Sequence, residues 1–292
     1  MSRLLSSGMD FGISTQFHRK QRVTVDLLES LRKAGYSRIE LFCNRPHLDF
    51  HDRSLLRSIG RWFGENALPA PSIHLPLLED TGNERRWITP LDPERRHREA
   101  ALDEIKRCLE LADRVRPEYV VMHLGNPGEA FNPVCFEYAY AAIALIRKFS
   151  GVQIMVENIP NDISTIERIQ EFKNVSTLPD IGICYDTGHG HLQGRTGALD
   201  FVNATHIHDN HGVRDDHLWP FEGKIDWPAF IEKLVLAKFA GTLMFEARGD
   251  DLHHGGNVRS RLQDLWDEAH DSIEEFRLKY KLPEVSKNNE DD

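Results

Sequence analysis

Long hydrophobic runs are missing from this 292-residue chain. No apolar stretch approaches the roughly 20 residues that a membrane-spanning helix needs, so no such helix is expected. Residues 1–10 lack the apolar centre of a secretory signal. Cysteine is scarce too: Cys43, Cys108, Cys135 and Cys184 are the four, and none stands at C-x-x-C spacing. Buried free thiols in a reducing compartment follow, and with them a cytoplasmic location. Positive charge is short, with 36 Lys and Arg against 46 Asp and Glu and a net charge of -10. That balance disfavours non-specific binding to nucleic acid or anionic membrane. The chain also lacks a Ser-His-Asp order, a Walker motif and a nucleophile elbow.

What it has is eight short apolar runs separated by helical patterns. The first two are Phe11-Gly-Ile-Ser14 and Arg38-Ile-Glu-Leu-Phe42. The other six, at 72–74, 120–123, 154–157, 183–186, 204–206 and 243–246, end on His74, His123, Glu157, Asp186, His206 and Glu246. Apolar runs this short read as strands buried on both faces of a parallel sheet. Helices are expected near 24–34, 52–65, from Pro93, 134–148, 164–172, 228–240 and 259–279. Eight strands alternating with helices predict an α/β fold, a single (β/α)8 TIM barrel over residues 9–280. An open doubly wound sheet is the alternative. The polar segments 76–89 and 209–225 read as loops over the site, and residues 281–292 as a disordered polar tail.

Parallel barrel strands present functional residues at their carboxyl ends, so these six side chains converge on one mouth. Glu157, Asp186, His206 and Glu246 end the last four strands and are neighbours around the barrel. Three carboxylates and one imidazole make a hard, oxygen-rich set suited to Mn²⁺, Mg²⁺ or Co²⁺. His74, His123, His189, Asp215 and His217 surround the same mouth as substrate-binding groups or further ligands, and the whole set could share two or three Zn²⁺. Each position alone is as well explained by a core histidine or an ion pair. Together they are not, because buried carboxylates without a compensating cation are expensive. Arg248, two residues past Glu246, points at an anionic or hydroxyl-rich substrate or at solvent. Gly188-His-Gly190 fails as a dinucleotide loop because Gly194 falls one residue late. His191 and His208 are read as supports for better-placed ligands. His18, His47, His97, His253 and His254 have no spacing argument and are placed at the surface or rim. Glu40 either faces the mouth or pairs with Arg38. The 209–220 segment offers one basic residue, Arg214, and no Lys/Arg cluster is evident on the mouth loops.

The motifs Ile73-His-Leu-Pro76, His123-Leu-Gly125, Val156-Glu-Asn158 and Asp186-Thr-Gly-His189 resemble those of the xylose isomerase-like TIM barrel superfamily. Most specific are His206-Ile-His-Asp-Asn210, Asp215-Asp-His-Leu218 and Gly223-Lys-Ile-Asp-Trp227. The superfamily includes sugar phosphate isomerases/epimerases and AP endonuclease family 2. In its ketose epimerases, the resemblance implies, Glu157, Asp186, His206 and Glu246 hold one divalent metal, and Glu157 and Glu246 move protons. In its endonuclease IV-like members, the nine matching residues hold three zinc ions. The expectation drawn here is a metal-dependent isomerase or epimerase of a sugar, sugar phosphate or keto-sugar, abstracting a proton next to a carbonyl through an enediolate. A zinc phosphoesterase and a metal-dependent lyase on an oxidised sugar are the alternatives. The expected partner is a small-molecule sugar rather than nucleic acid or membrane, with a homodimer as the expected assembly.

Overall fold

The computed structural model describes residues 9–69, 71–80, 85–178, 181–194, 199–249 and 251–280; the expected polar tail lies outside the described residues. Strands β1 (Asp10–Ser14), β2 (Arg38–Phe42) and β3 (Ser72–His74) open the chain, with α1 (Val25–Lys33) and α2 (Arg53–Asn66) between them. A hairpin, β4 (Leu78–Asp80) and β5 (Arg85–Trp87), then precedes α3 (Arg95–Val115) and β6 (Tyr119–His123). The rest alternates: α4 (Val134–Phe149), β7 (Gln153–Glu157), α5 (Ile166–Ser176), β8 (Ile181–Asp186), α6 (Thr187–Leu192), β9 (Ala204–Ile207), α7 (Trp227–Leu236), β10 (Thr242–Phe245) and α8 (His254–Tyr280).

Eight parallel strands close in the order β1-β10-β9-β8-β7-β6-β3-β2, which is the expected (β/α)8 barrel. The helices start where side chains satisfy their orphan amides. Thr24 caps α1 by accepting from Leu27 N, Asp52 caps α2 by accepting from Ser54 N and Leu55 N, and Asp226 caps α7 just before Pro228. Leu27, Leu28 and Leu31 of α1, Ile59 and Phe63 of α2, and Ile105, Leu109 and Ala112 of α3 pack inward on the barrel. No helix of the described residues is long and apolar enough to cross a membrane.

Three elements differ from the sequence expectation. The 76–89 segment is not simply a loop: β4 and β5 pair antiparallel, Leu78 opposite Trp87, and Asn44 Oδ1 anchors the hairpin by accepting from Leu77 N and Leu78 N. A short helix, α6, follows Asp186 directly. Helix α8 begins at His254, five residues before the expected 259.

Candidate active site

Register decides which ligating side chains meet. His123 pairs with Glu157 across β6 and β7, and Asp186 with His206 across β8 and β9. Glu246 follows β10, its amide donating to Ile207 O at 3.1 Å, and so stands beside His206. All six strand-end residues therefore face one mouth. Glu157, Asp186, His206 and Glu246 are buried, and each offers a ligand atom within 4.8 Å of the others.

Glu157 is the centre of this cluster. His74 Nε2 and His123 Nε2 each lie 3.2 Å from its Oε2, His206 Nδ1 lies 3.1 Å from the same oxygen, and His189 Nδ1 lies 3.2 Å from Oε1. His206 Nδ1 also lies 3.7 Å from Glu246 Oε2. Burial works to raise the Glu157 carboxyl, but His123, His206 and His189 hold it well below the usual carboxylate range. Burial raises Glu246 to about 7 despite His206, with Glu157 adding to the rise. The two glutamates thus differ sharply in proton affinity within one site.

The imidazoles are oriented from behind. His74 Nδ1 donates to Leu75 O (2.8 Å), His189 Nδ1 to Asn158 O (3.0 Å), and His217 Nδ1 to Glu246 O (2.7 Å). His206 Nε2 donates to Glu40 Oε2 (3.1 Å), which also accepts from Ser72 Oγ (2.9 Å). Burial disfavours the charged form of His74 and His206, yet the carboxylates around them raise both above the ordinary histidine value, so the nitrogens that face Glu157, His74 Nε2 and His206 Nδ1, carry either a proton or a metal ion. Lone pairs aimed at a carboxylate repel it unless a cation lies between. Two ligand atoms each about 2.1 Å from one ion stand about 3.0–3.4 Å apart, which is the spacing found here. Glu157 Oε1, Asp186 Oδ2, His206 Nδ1 and His123 Nε2 are moreover buried without a hydrogen-bond partner. The donor set fits a divalent metal.

A second group adjoins it. His217 Nε2 lies 2.8 Å from Asp215 Oδ2, and His189 Nε2 lies 3.9 Å from the same oxygen. Burial favours the neutral form of His189, yet Asp186, Asp215 and Glu157 raise its pKa well above the ordinary histidine value. Burial and the stacked His208 lower that of His217. His217 adopts φ +53°, a strained conformation for a non-glycine residue. The 209–227 loop enforces it. Asp209, fully buried, accepts from Asn210 N (2.8 Å), Phe221 N and Ile225 N (3.1 Å each) and Trp227 Nε1 (2.8 Å).

Several positions depart from the sequence reading. Glu40 pairs with His206 and Ser72 rather than with Arg38, whose guanidinium goes to Asp10 and Glu118. His18 and His47 are buried, not at the surface, and His47 Nδ1 donates to Gln21 O. His208 Nε2 lies 3.0 Å from Asp186 Oδ2, and Gly188 makes the room: a Cβ there would stand 2.0 Å from the His208 ring. Its role as a support next to better-placed ligands fits this position, while His191 sits apart, hydrogen-bonded to Asn210 Oδ1. Gln16 and Asn158 went unread as site residues. Gln16 lies 3.3 Å from His217 Nδ1, and Asn158 clamps Asp186 through its amide and carbonyl.

The cluster floors a cavity of about 440 Å³, with Leu78, Trp87, Ile159 and Pro160 on its walls. Arg19, Lys20, Arg45 and Arg248 line it as well, so the mouth does carry a basic group. These residues are dispersed over three loops, which is why no local count finds them. Burial lowers the Arg248 pKa, and Arg19 lowers it further.

An uncharacterized protein of Sinorhizobium fredii, y4fM, is 31% identical over 172 residues, which make up 52% of this chain and 54% of that protein. The match thus spans about half the length of that relative. Among solved structures, a D-tagatose 3-epimerase-like protein superimposes with a TM-score of 0.72 at 18% identity, covering 91% of this chain and 100% of the other. The IOLI protein with a binding zinc atom gives 0.64 at 16% identity, covering 91% and 98%. At these identities the likeness concerns the fold. The family model of the xylose isomerase-like TIM barrel matches residues 28–276, and the chain belongs to that family.

Proposed function

We propose that this protein is a metal-dependent sugar isomerase or epimerase. The observation that carries the reading is the position of His206 Nδ1 between two buried glutamates, 3.1 Å from Glu157 and 3.7 Å from Glu246. Glu157, Asp186, His206 and Glu246 would hold one divalent ion, which when bound supplies the Lewis acidity that polarises a substrate carbonyl. Glu157 and Glu246, which both line the cavity, would take the proton from the carbon beside the carbonyl and return it, through an enediolate. His189 and His217 would bind substrate oxygens, and the hairpin residues Leu78 and Trp87 would shield the intermediate from water. Solved structures of similar fold named as sugar epimerases, among them L-ribulose 3-epimerase, support this reading.

The test is solvent deuterium exchange into candidate ketoses. Wild-type protein loaded with Mn²⁺ should exchange one carbon-bound proton, and Glu246→Gln should lose that exchange. Exchange at the wild-type rate in the variant removes Glu246 from proton transfer.

A second reading, a zinc phosphoesterase, draws on the adjoining His189, Asp215 and His217 and on His74 and His123 about Glu157. It requires two or three zinc ions per chain in protein purified without added metal, against one for the isomerase.

A further inference from the structure

The charges lining the cavity are segregated. Its floor presents Glu157, Asp215 and Glu246 among imidazoles. Another sector of the wall presents Arg248, which follows β10, Arg19 and Lys20, which follow β1, and Arg45, which follows β2. These three strands are consecutive in the barrel, β10-β1-β2, so the cations share one sector.

Arg45 is occupied by Glu104 and His51 outside the cavity. The others are not. Arg19 and Lys20 make no ion pair among the described residues, and the carboxylate nearest Arg248 is Asp215, at 3.9 Å. Arg248 Nε is buried without a hydrogen-bond partner, although its side chain is 28% exposed at the cavity surface. Arg19 and Arg248 line the same cavity. A guanidinium largely withdrawn from water, with its Nε unpartnered and its one ion pair stretched to 3.9 Å, is costly unless an anion completes it. A neutral ketose brings hydroxyls only. A phosphate or carboxylate brings the paired oxygens that a guanidinium fork matches.

We propose that Arg19, Lys20 and Arg248 form an anion subsite, so that the substrate is a sugar bearing a phosphate or carboxylate at the end away from its reacting carbonyl. This rests on the isomerase reading for the identity of the floor, and it narrows the substrate from sugars at large to acidic ones. The cavity volume of about 440 Å³ suits a single small molecule better than a polymer, within the usual range for such sites. Bound in this way, the substrate has a fixed direction: its anionic end meets the cationic sector, and its carbonyl end reaches Glu157 and Glu246.

The experiment compares each neutral ketose with its terminal phosphate and with the corresponding keto acid, using deuterium exchange on the Mn²⁺-loaded protein. Inorganic phosphate serves as a competitor, and its direct binding is measured by calorimetry. At least one acidic form should show a kcat/KM 100-fold or more above its neutral partner. Which form does so separates phosphate from carboxylate. Arg248→Gln should raise KM for the acidic substrate tenfold or more with a smaller change in kcat, and should weaken phosphate binding in parallel. Arg19→Gln, an exposed change with little risk to folding, should shift both in the same direction. Equal rates for neutral and acidic partners would overturn the anion subsite while leaving proton transfer intact. Phosphate binding indifferent to both substitutions would overturn it as well, as would turnover confined to a nucleic-acid phosphodiester. Arg-dependent phosphate binding without exchange into any sugar would instead sustain the subsite and remove the isomerase reading.

Discussion

Glu40 offers the sharpest probe of the site, because it touches only the back of one expected ligand. Its side chain is fully buried on β2, and Oε2 accepts from Ser72 at 2.9 Å and from His206 Nε2 at 3.1 Å. Those bonds hold the His206 ring so that Nδ1 faces Glu157 and Glu246. Partners of this kind typically contribute about 10–100-fold in metal affinity. Glu40→Gln keeps an acceptor of the same shape but removes the charge that makes the imidazole more basic, so affinity should fall about tenfold, ~1.4 kcal/mol. Glu40→Leu removes the acceptor as well and should cost about 100-fold, ~2.8 kcal/mol. The leucine variant also strands two buried donors, a further loss of order 2–3 kcal/mol in ion-free stability. Affinity should therefore be measured by chelator competition with Mn²⁺ and Zn²⁺ on protein shown to be folded by circular dichroism. Arg38→Gln is the control: its guanidinium serves Asp10 and Glu118, so affinity should stay within about twofold. A folded Glu40→Leu protein with wild-type affinity would refute the assignment of His206 as a ligand held by Glu40.

Ion count separates the two functional readings: about one divalent ion per chain is expected by elemental analysis, and changing His74, His123 or His217 to Ala should impair turnover without emptying the site. Loss of zinc in those variants would favour the phosphoesterase. In ion-free protein, Glu246 is raised from its ordinary 4.5 to about 7. A carboxyl raised on folding favours the native state below its unfolded pKa, and that advantage is lost as pH rises through the folded one. Glu246→Gln should therefore match wild type near pH 4.5 and exceed it by about 3 kcal/mol at pH 8, read by denaturant unfolding after chelation. Asp209→Ala should cost 3 kcal/mol or more, roughly, since it leaves three loop donors and the Trp227 indole without their shared acceptor. Proteolysis within 209–227 should accelerate alongside that loss, and unchanged unfolding would show that the loop holds His217 by other means.

The barrel was legible because strands covered on both faces must be apolar almost throughout, and only their carboxyl ends are free to carry chemistry. Ile154-Met-Val-Glu157 and Ile183-Cys-Tyr-Asp186 show this directly, each ending on a candidate ligand. Asp186-x-x-His189 was legible for another reason. Asp186 caps α6 through Oδ1, accepting from His189 N, and this fixes the spacing of the pair. Glu40 was ambiguous because a strand segment does not say whether a polar residue faces the barrel interior or a neighbouring arginine. The hairpin escaped because three-residue strands have no periodicity to detect. The cationic sector escaped because Arg19, Lys20, Arg45 and Arg248 adjoin only when β10, β1 and β2 close the barrel.

Closure also explains how one mouth holds both signs of charge. The imidazole–carboxylate cluster draws on β3 and β6 to β10, and the arginines arrive from β10, β1 and β2. Glu246 and Arg248, two residues apart, mark the border between the sectors. Arg248 N donates to His217 O, and His217 Nδ1 donates to Glu246 O, so one short hydrogen-bonded path fixes both side chains and the strained histidine. A shift in this path would move a proton-transfer candidate and an anion-binding candidate together. The 209–227 loop is pinned by Asp209 rather than left free, and that suits a site in which the two ends of one small substrate must be held in fixed register. Rigidity there has a cost in the ion-free chain, where Glu157 Oε1, Asp186 Oδ2 and His206 Nδ1 are buried without a hydrogen-bond partner. On the proposed reading a bound ion would offset that cost, and loading the site and stabilising the fold would be one equilibrium.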